Sequence, residues 1–192
     1  PRSIRAAVIV AGVGLVALAV AAGLTLENAH YAHGAPVPFG FEYRDLYRVA
    51  PEPHGYVRVQ SRWPNGELKY SYAVDPLRLP SHAGGLTAEM PLYATSYVKA
   101  LSRRYSDFAL SGEGRSRINN TLSGYQVAYS AVIDGEQMYG RDILMVPEGS
   151  GVRDGVVIRI LAAKSANAQV TSPLEVAQAG ILLRPLKTFS FS

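Results

Sequence analysis

The sequence predicts an α+β fold: a largely antiparallel sheet with two packed helices, preceded by a single N-terminal transmembrane helix. Three observations predict it. An uncharged apolar run lies near the start of the chain. Alternating apolar and polar segments joined by tight-turn residues fill most of the remainder. Two segments with helical character interrupt them.

The apolar run is AAVIVAGVGLVALAVAAGL, from Ala6 to Leu24. As a helix it spans roughly 28 Å, close to the thickness of a bilayer core. A helix satisfies its own backbone groups where lipid cannot. Arg2 and Arg5 precede the run, and no Lys or Arg comes after it until Arg44. The positive-inside rule then keeps residues 1–5 in the cytoplasm, gives a transmembrane helix over 6–26, and puts the rest outside the cytoplasmic membrane. A cleaved signal peptide is the rival, with Ala17-Leu18-Ala19 or Ala19-Val20-Ala21 as small-residue sites; the run is longer than a usual signal core. Gly12, Val16, Ala19 and Gly23 fall on one helix face, which is suited to docking against another membrane helix. General richness in Ala and Gly explains the same pattern.

Residues 27–54 read as a stalk. Pro36, Pro38, Pro51 and Pro53 break regular structure, and Phe39, Phe41, Tyr43 and Tyr47 are interleaved with them. These rings are candidates for contact with a partner, with the membrane interface or with the domain itself. His30 and His33 would share a face only on a helix, and Glu27 is the one further ligand nearby.

An extracytoplasmic domain is expected over 55–192. YVRVQSRW (56–63) alternates as a half-buried strand, Pro64-Asn65-Gly66 turns it, and LKYSYAV continues the hairpin with Leu68, Tyr70, Tyr72 and Val74 on one face. A Pro/Gly-containing loop is expected over 75–90. Tyr93, Tyr97, Leu101 and Tyr105 recur every four residues, which predicts a helix over 91–105 opened by Pro91 and using the stripe as core. Strands are expected at 107–118, 125–133, 137–146 and 156–163, with turns at Asn119-Asn120 and Asp134-Gly135. Ser172-Pro173-Leu174-Glu175 has the form of a capping box with Pro at the first helical position, so a closing helix is expected to about Leu183, with Leu174, Ala177 and Ile181 on the sheet. Phe189 and Phe191 are expected to tie down the end.

From Leu92 onward a helix leads into GEGRSRINNTLSGYQVAYSAVIDGEQMYGRDILMVP, then VVIRILAA and a closing helix near a Phe. Over roughly residues 56–191 this order resembles the Mog1/PsbP-like fold. The likeness is one of layout and carries no residue-specific motif, so no site residue transfers from it. It implies a non-catalytic binding or assembly module.

Chemistry-bearing patterns are sparse. The chain lacks cysteine, which excludes disulfides, thiolate metal sites and cysteine nucleophiles. Arg2 and Arg5 account for two of the 19 basic residues, leaving 17 against 15 acidic ones over 27–192. A surplus that small argues against nucleic acid as a partner. There is no nucleophile elbow, phosphate loop or zinc-protease motif. His54 and His82 are the candidate general bases, without an adjacent serine or carboxylate pattern. Glu113, Asp134, Glu136, Asp142 and Asp154 are scattered, and Glu113, Arg115 and Arg117 alternate as a solvated strand face. No catalytic residue, cofactor or metal is expected. The first expectation is a non-catalytic, single-pass accessory subunit of a larger membrane complex, with other membrane subunits and the lipid bilayer as partners. The alternative is a freestanding envelope protein that binds a lipid, glycan or small ligand in a cavity between sheet and helix.

Overall fold

The computed structural model describes residues 28–44, 47–80, 86–119, 122–149, 152–166 and 170–192. The apolar run and its face Gly12, Val16, Ala19 and Gly23 lie outside the described residues, as does His82. Among the described residues no helix is long and apolar enough to cross a membrane.

Among the described residues the fold is α+β, with two antiparallel sheets and two α-helices. In chain order the strands are β1 (Asn28–His33), β2 (Phe39–Arg44), β3 (Arg48–Ala50), β4 (Val57–Arg62) and β5 (Leu68–Arg78). Helix α1 (Leu86–Arg104) comes next, then β6 (Ser106–Ile118), β7 (Leu122–Ile133), β8 (Glu136–Met145) and β9 (Asp154–Ala163). Helix α2 (Leu183–Thr188) and β10 (Ser190–Phe191) close the chain. Seven strands form the large sheet in the order β3-β4-β5-β9-β8-β7-β6, and β1-β2-β10 form a small one.

The hairpins obey their turn residues. Gly66 has φ +91°, and Asp134 and Gly135 have φ +53° and +86°. Two consecutive positive φ values match the strand twist, and Asp-Gly tolerates them. Strand β5 runs through Pro76 to Arg78, into the segment expected as a loop, because it pairs with β9 along its whole later length. Helix α1 starts before Pro91, so that proline sits inside the helix and not at its first position. Tyr70, Tyr72 and Val74 do share a face, but Leu68 belongs to a different apolar cluster. A register shift at Ser61/Arg62 separates it from them.

The stalk expected over 27–54 is a correction. Its residues form β1, β2 and β3, and the boundary expected at residue 55 falls inside the domain. Phe39 and Phe41 are fully buried and Tyr47 nearly so. They pack with Tyr72 and Phe189 in the core between the two sheets. Tyr43 is half-buried against the same core. Burying rings of this size contributes about 1.5–3 kcal/mol each, more than solvating them on a tether would. Proline and glycine here mark turns between short strands.

The closing helix over 172–183 is a second correction. Pro173–Glu175 make only a single 3-10 turn. The Glu175 carboxylate does accept hydrogen bonds from the Thr171 and Ser172 amides, at 2.7 and 3.2 Å. The cap forms, but Val176 leaves helical geometry and Ala177 and Gly180 take φ +60° and +72°. Leu174 is exposed, while Val176, Ala177 and Leu182 are buried. The real helix, α2, begins where the expected one ended and contains Pro185 in its first turn, a position that needs no proline N–H. Phe189 is buried against Phe39 and Phe191 packs at its edge.

The small sheet and the C-terminal segment thus cover one face of the large sheet. Helix α1 covers part of the other, with Tyr93, Tyr97, Val98 and Leu101 on Val127, Tyr129, Leu144 and Val157. Gly140 is needed beneath this helix. A Cβ there would lie 2.3–2.8 Å from ring atoms of Tyr129, its partner across the ladder. Gly140→Ala should therefore destabilise the protein by about 1–3 kcal/mol, read as a lowered midpoint in urea unfolding; an unchanged midpoint would show that the ring does not lie on the strand.

Candidate functional site

One row of residues crosses the helix side of the large sheet. Arg58 on β4 faces Ala73 on β5, Ala73 faces Arg159 on β9, and Arg159 faces Asp142 on β8. Alternation along each strand turns all of them toward α1, since their neighbours one residue away belong to the other core. Three of the four are charged in a region otherwise made of Val, Leu and Tyr.

Their charges are matched by specific partners. The Arg159 Nε pairs with the Asp75 carboxylate, and Arg58 pairs with Glu52. Asp142 is fully buried. Its Oδ2 accepts the Tyr97 hydroxyl at 2.7 Å, and the Tyr129 hydroxyl lies 3.3 Å from both carboxylate oxygens. Tyr97 comes from α1, so this bond ties the helix to the sheet. Burial pushes the Asp142 carboxyl up to about 7, against the Tyr97 bond, the Arg159 charge and the Tyr129 bond. Burial also raises Asp75, opposed by Arg159. Burial works against the Arg159 charge too, yet Asp75 and Asp142 together hold that guanidinium more firmly charged than usual. Tyr97 and Tyr129 are raised well above the ordinary tyrosine range, first by burial and then by Asp142.

Beside this row, at the C-terminal end of α1, lies a cavity of about 380 Å³. Its floor holds Ser71, Ala73 and Arg159. Arg58 borders it on one side and Arg104 and Tyr105 on the other, with Leu68, Ile133 and Leu161 as apolar wall. Ser71 is buried, and its hydroxyl bonds to no described residue. The volume lies in the range of small-molecule sites, and the mixture of apolar wall and a few polar groups fits one. A second cavity, about 440 Å³, lies at the other end of α1 around Met90, Tyr125, Val146 and Arg117. It adjoins segments outside the described residues.

The sequence singled out other residues. His30 and His33 lie on β1, where a spacing of three puts them on opposite faces, so the shared-face premise does not hold. His33 stacks between Phe39 and Tyr56, with centroids at 5.0 and 4.2 Å. His54 is exposed in a turn. Among the described residues no group of three or more His, Asp or Glu side chains gathers as a metal site. Asp142 lies sealed under α1 and does not line the cavity, so it holds the helix and meets no solvent-borne substrate. Glu113, Arg115 and Arg117 lie on the edge strand β6. Arg58, Ser71 and Arg159 were not singled out. The signal for Arg159 was a lone charge inside VVIRILAA, a strand expected to be buried, which demands a counter-charge.

No protein-family model matches the chain, and no curated protein matches it. Solved structures do resemble it. LpqN of Mycobacterium tuberculosis, described as involved in cell envelope biogenesis, superposes with TM-score 0.56 over 86% of this chain and 92% of its own, at 13% identity. A Pseudomonas aeruginosa protein of unknown function, PA94, described as a putative regulator, gives TM-score 0.42 over 75% of this chain and 88% of its own, at 9% identity. The first match shows a shared fold; neither is described as Mog1/PsbP-like.

The buried carboxyl makes stability depend on pH. An aspartate whose folded-state pKa is raised holds its proton more tightly folded than unfolded, so ionising it costs stability. That cost is absent below the ordinary value of 3.8, grows as pH rises toward about 7, and is complete above it. The parent protein should lose Tm between about pH 4 and pH 7, and Asp142→Asn should flatten that fall. Equal slopes for both proteins, by scanning calorimetry, would place the Asp142 pKa near its ordinary value.

Proposed function

We propose that this chain is a non-catalytic, membrane-anchored protein of the cell envelope whose extracytoplasmic domain binds a small ligand in the cavity beside α1. The observation that carries this is the cavity itself. A sandwich built only to cover a partner needs no opening of this size between helix and sheet, and a fully packed interface would have counted against a ligand. The charged floor and apolar wall are the mixture that orients a small molecule.

Three further features support it. The aromatics offered as partner contacts, Phe39, Phe41 and Tyr47, are used up in the domain's own core, which removes a motive for the accessory-subunit alternative. The run from Ala6 to Leu24, with Arg2 and Arg5 before it, is the pattern of a helix that exports the residues C-terminal to it. The shared fold with LpqN is compatible with an envelope role. Bulk bilayer contact would come through the N-terminal segment, and membrane subunits remain partners in the alternative.

The test uses the full chain purified from membranes in mild detergent. Native mass spectrometry should detect a co-purifying small molecule. Ala73→Phe, which fills the floor between Arg58 and Arg159, should lose it while circular dichroism stays unchanged. Retention of the same molecule by a folded Ala73→Phe protein would move the site elsewhere. Co-migration with a fixed set of membrane subunits, with no small molecule bound, would favour the accessory-subunit alternative.

A further inference from the structure

The chemistry facing the cavity narrows its ligand. Three arginines line it, Arg58, Arg104 and Arg159, against one carboxylate, Asp134. The carboxylates paired with Arg58 and Arg159, Glu52 and Asp75, do not line it. Arg159 is only 8% exposed. It engages Asp75 through Nε, and its two terminal amino groups donate to no described residue. Arg104 is exposed on the last turn of α1 and lies over the Tyr105 ring at 5.4 Å. Ser71 adds an unengaged hydroxyl between them.

A buried guanidinium with free donors is a site for a planar or tetrahedral oxyanion, because its N–H groups match carboxylate or phosphate oxygens in pairs. A bare anion would not fill the space, and it would leave Leu68, Ile133 and Leu161 against water. Resting on the assignment of this cavity as the ligand site, we infer that it takes an anionic amphiphile: an apolar chain ending in a carboxylate or a phosphate monoester, the head on Arg159, Arg58 and Ser71 and the chain along the apolar wall.

The experiment uses the full chain in phosphatidylcholine nanodiscs, with empty nanodiscs as blank and a dansyl-labelled fatty acid as fluorescent probe. Dodecanoate and dodecyl phosphate should displace the probe, and whichever does so at lower concentration identifies the head group. Dodecanol should compete about tenfold less well or worse, and inorganic phosphate should not compete. Arg58→Gln, at a partly exposed position, should weaken the charged competitors about tenfold and leave dodecanol unchanged. Dodecanol competing as well as dodecanoate would overturn the anionic head while leaving an apolar ligand in the cavity. Inorganic phosphate competing alone would overturn the amphiphile. Absence of probe binding would overturn this inference. The proposed function is judged separately, by the co-purified molecule and Ala73→Phe.

Discussion

The burial of Arg159 is the constraint around which the helix side of the domain is arranged. A guanidinium in the middle of a seven-stranded sheet, flanked along β9 by Ile158 and Ile160, cannot be left without charge partners. Asp75 and Asp142 answer it from the neighbouring strands β5 and β8, and Asp142 then needs donors of its own. Tyr129 supplies one from β7, and Gly140, opposite it on β8, makes room for its ring. Tyr97 supplies the other from α1. Each partner thus recruits the next, and the chain of requirements ends by fixing where the helix sits. Buried ion pairs of this kind contribute little net stability over well-packed apolar residues, whereas removing one partner alone typically costs about 3–5 kcal/mol. Here the network sets position: it holds α1 over β7 and β8 and leaves the β4–β5 side of that face open.

The two faces of the large sheet are therefore built on different terms. One is closed by aromatic packing from the small sheet and the C-terminal segment, with Phe39 on Phe189 and Phe41 on Tyr72 in one core. On the other, among the described residues, α1 packs over part of the sheet. The cavity is the uncovered remainder, and its polar floor is the exposed side of the same ionic row that positions the helix. Ligand recognition and helix placement share residues, so Arg159 has a structural partner behind it and spare donors in front.

Much of the large sheet was legible because alternation and tight turns are local signals. The hairpin at Asn65-Gly66, the Asp134-Gly135 turn and strands β4 and β6 to β9 all derive from them, within a few residues. The stripe Tyr93, Tyr97 and Leu101 correctly marked the buried face of α1. The readings that failed needed distant contacts. Phe39 and Phe41 were assigned to a stalk, with the domain itself as one of three candidate contacts, because Tyr72 and Phe189, on which they pack, lie far along the chain. The capping residues at Ser172 and Glu175 formed as expected, but nothing local said that Ala177 would take a left-handed conformation. The candidate site was hidden for the same reason. Arg58, Ser71 and Arg159 come from three strands, and only the sheet register brings them to one floor. Asp142 was visible as a carboxylate in a strand, but its face was decided by which side α1 chose.

Strand β2 lies between the first strand and the last. It pairs with β1, which immediately precedes it, and with β10, formed by Ser190 and Phe191. A chain made from its N-terminus presents β1 and β2 early, yet Phe39 has no Phe189 to rest on until the whole large sheet has been made. Contacts at so large a separation close late, because the loop between them must first be ordered. During synthesis the aromatic face waits open for the whole passage of the large sheet. A chain that stops before Phe189 therefore keeps an unsealed hydrophobic surface, the kind that quality-control proteases and chaperones recognise.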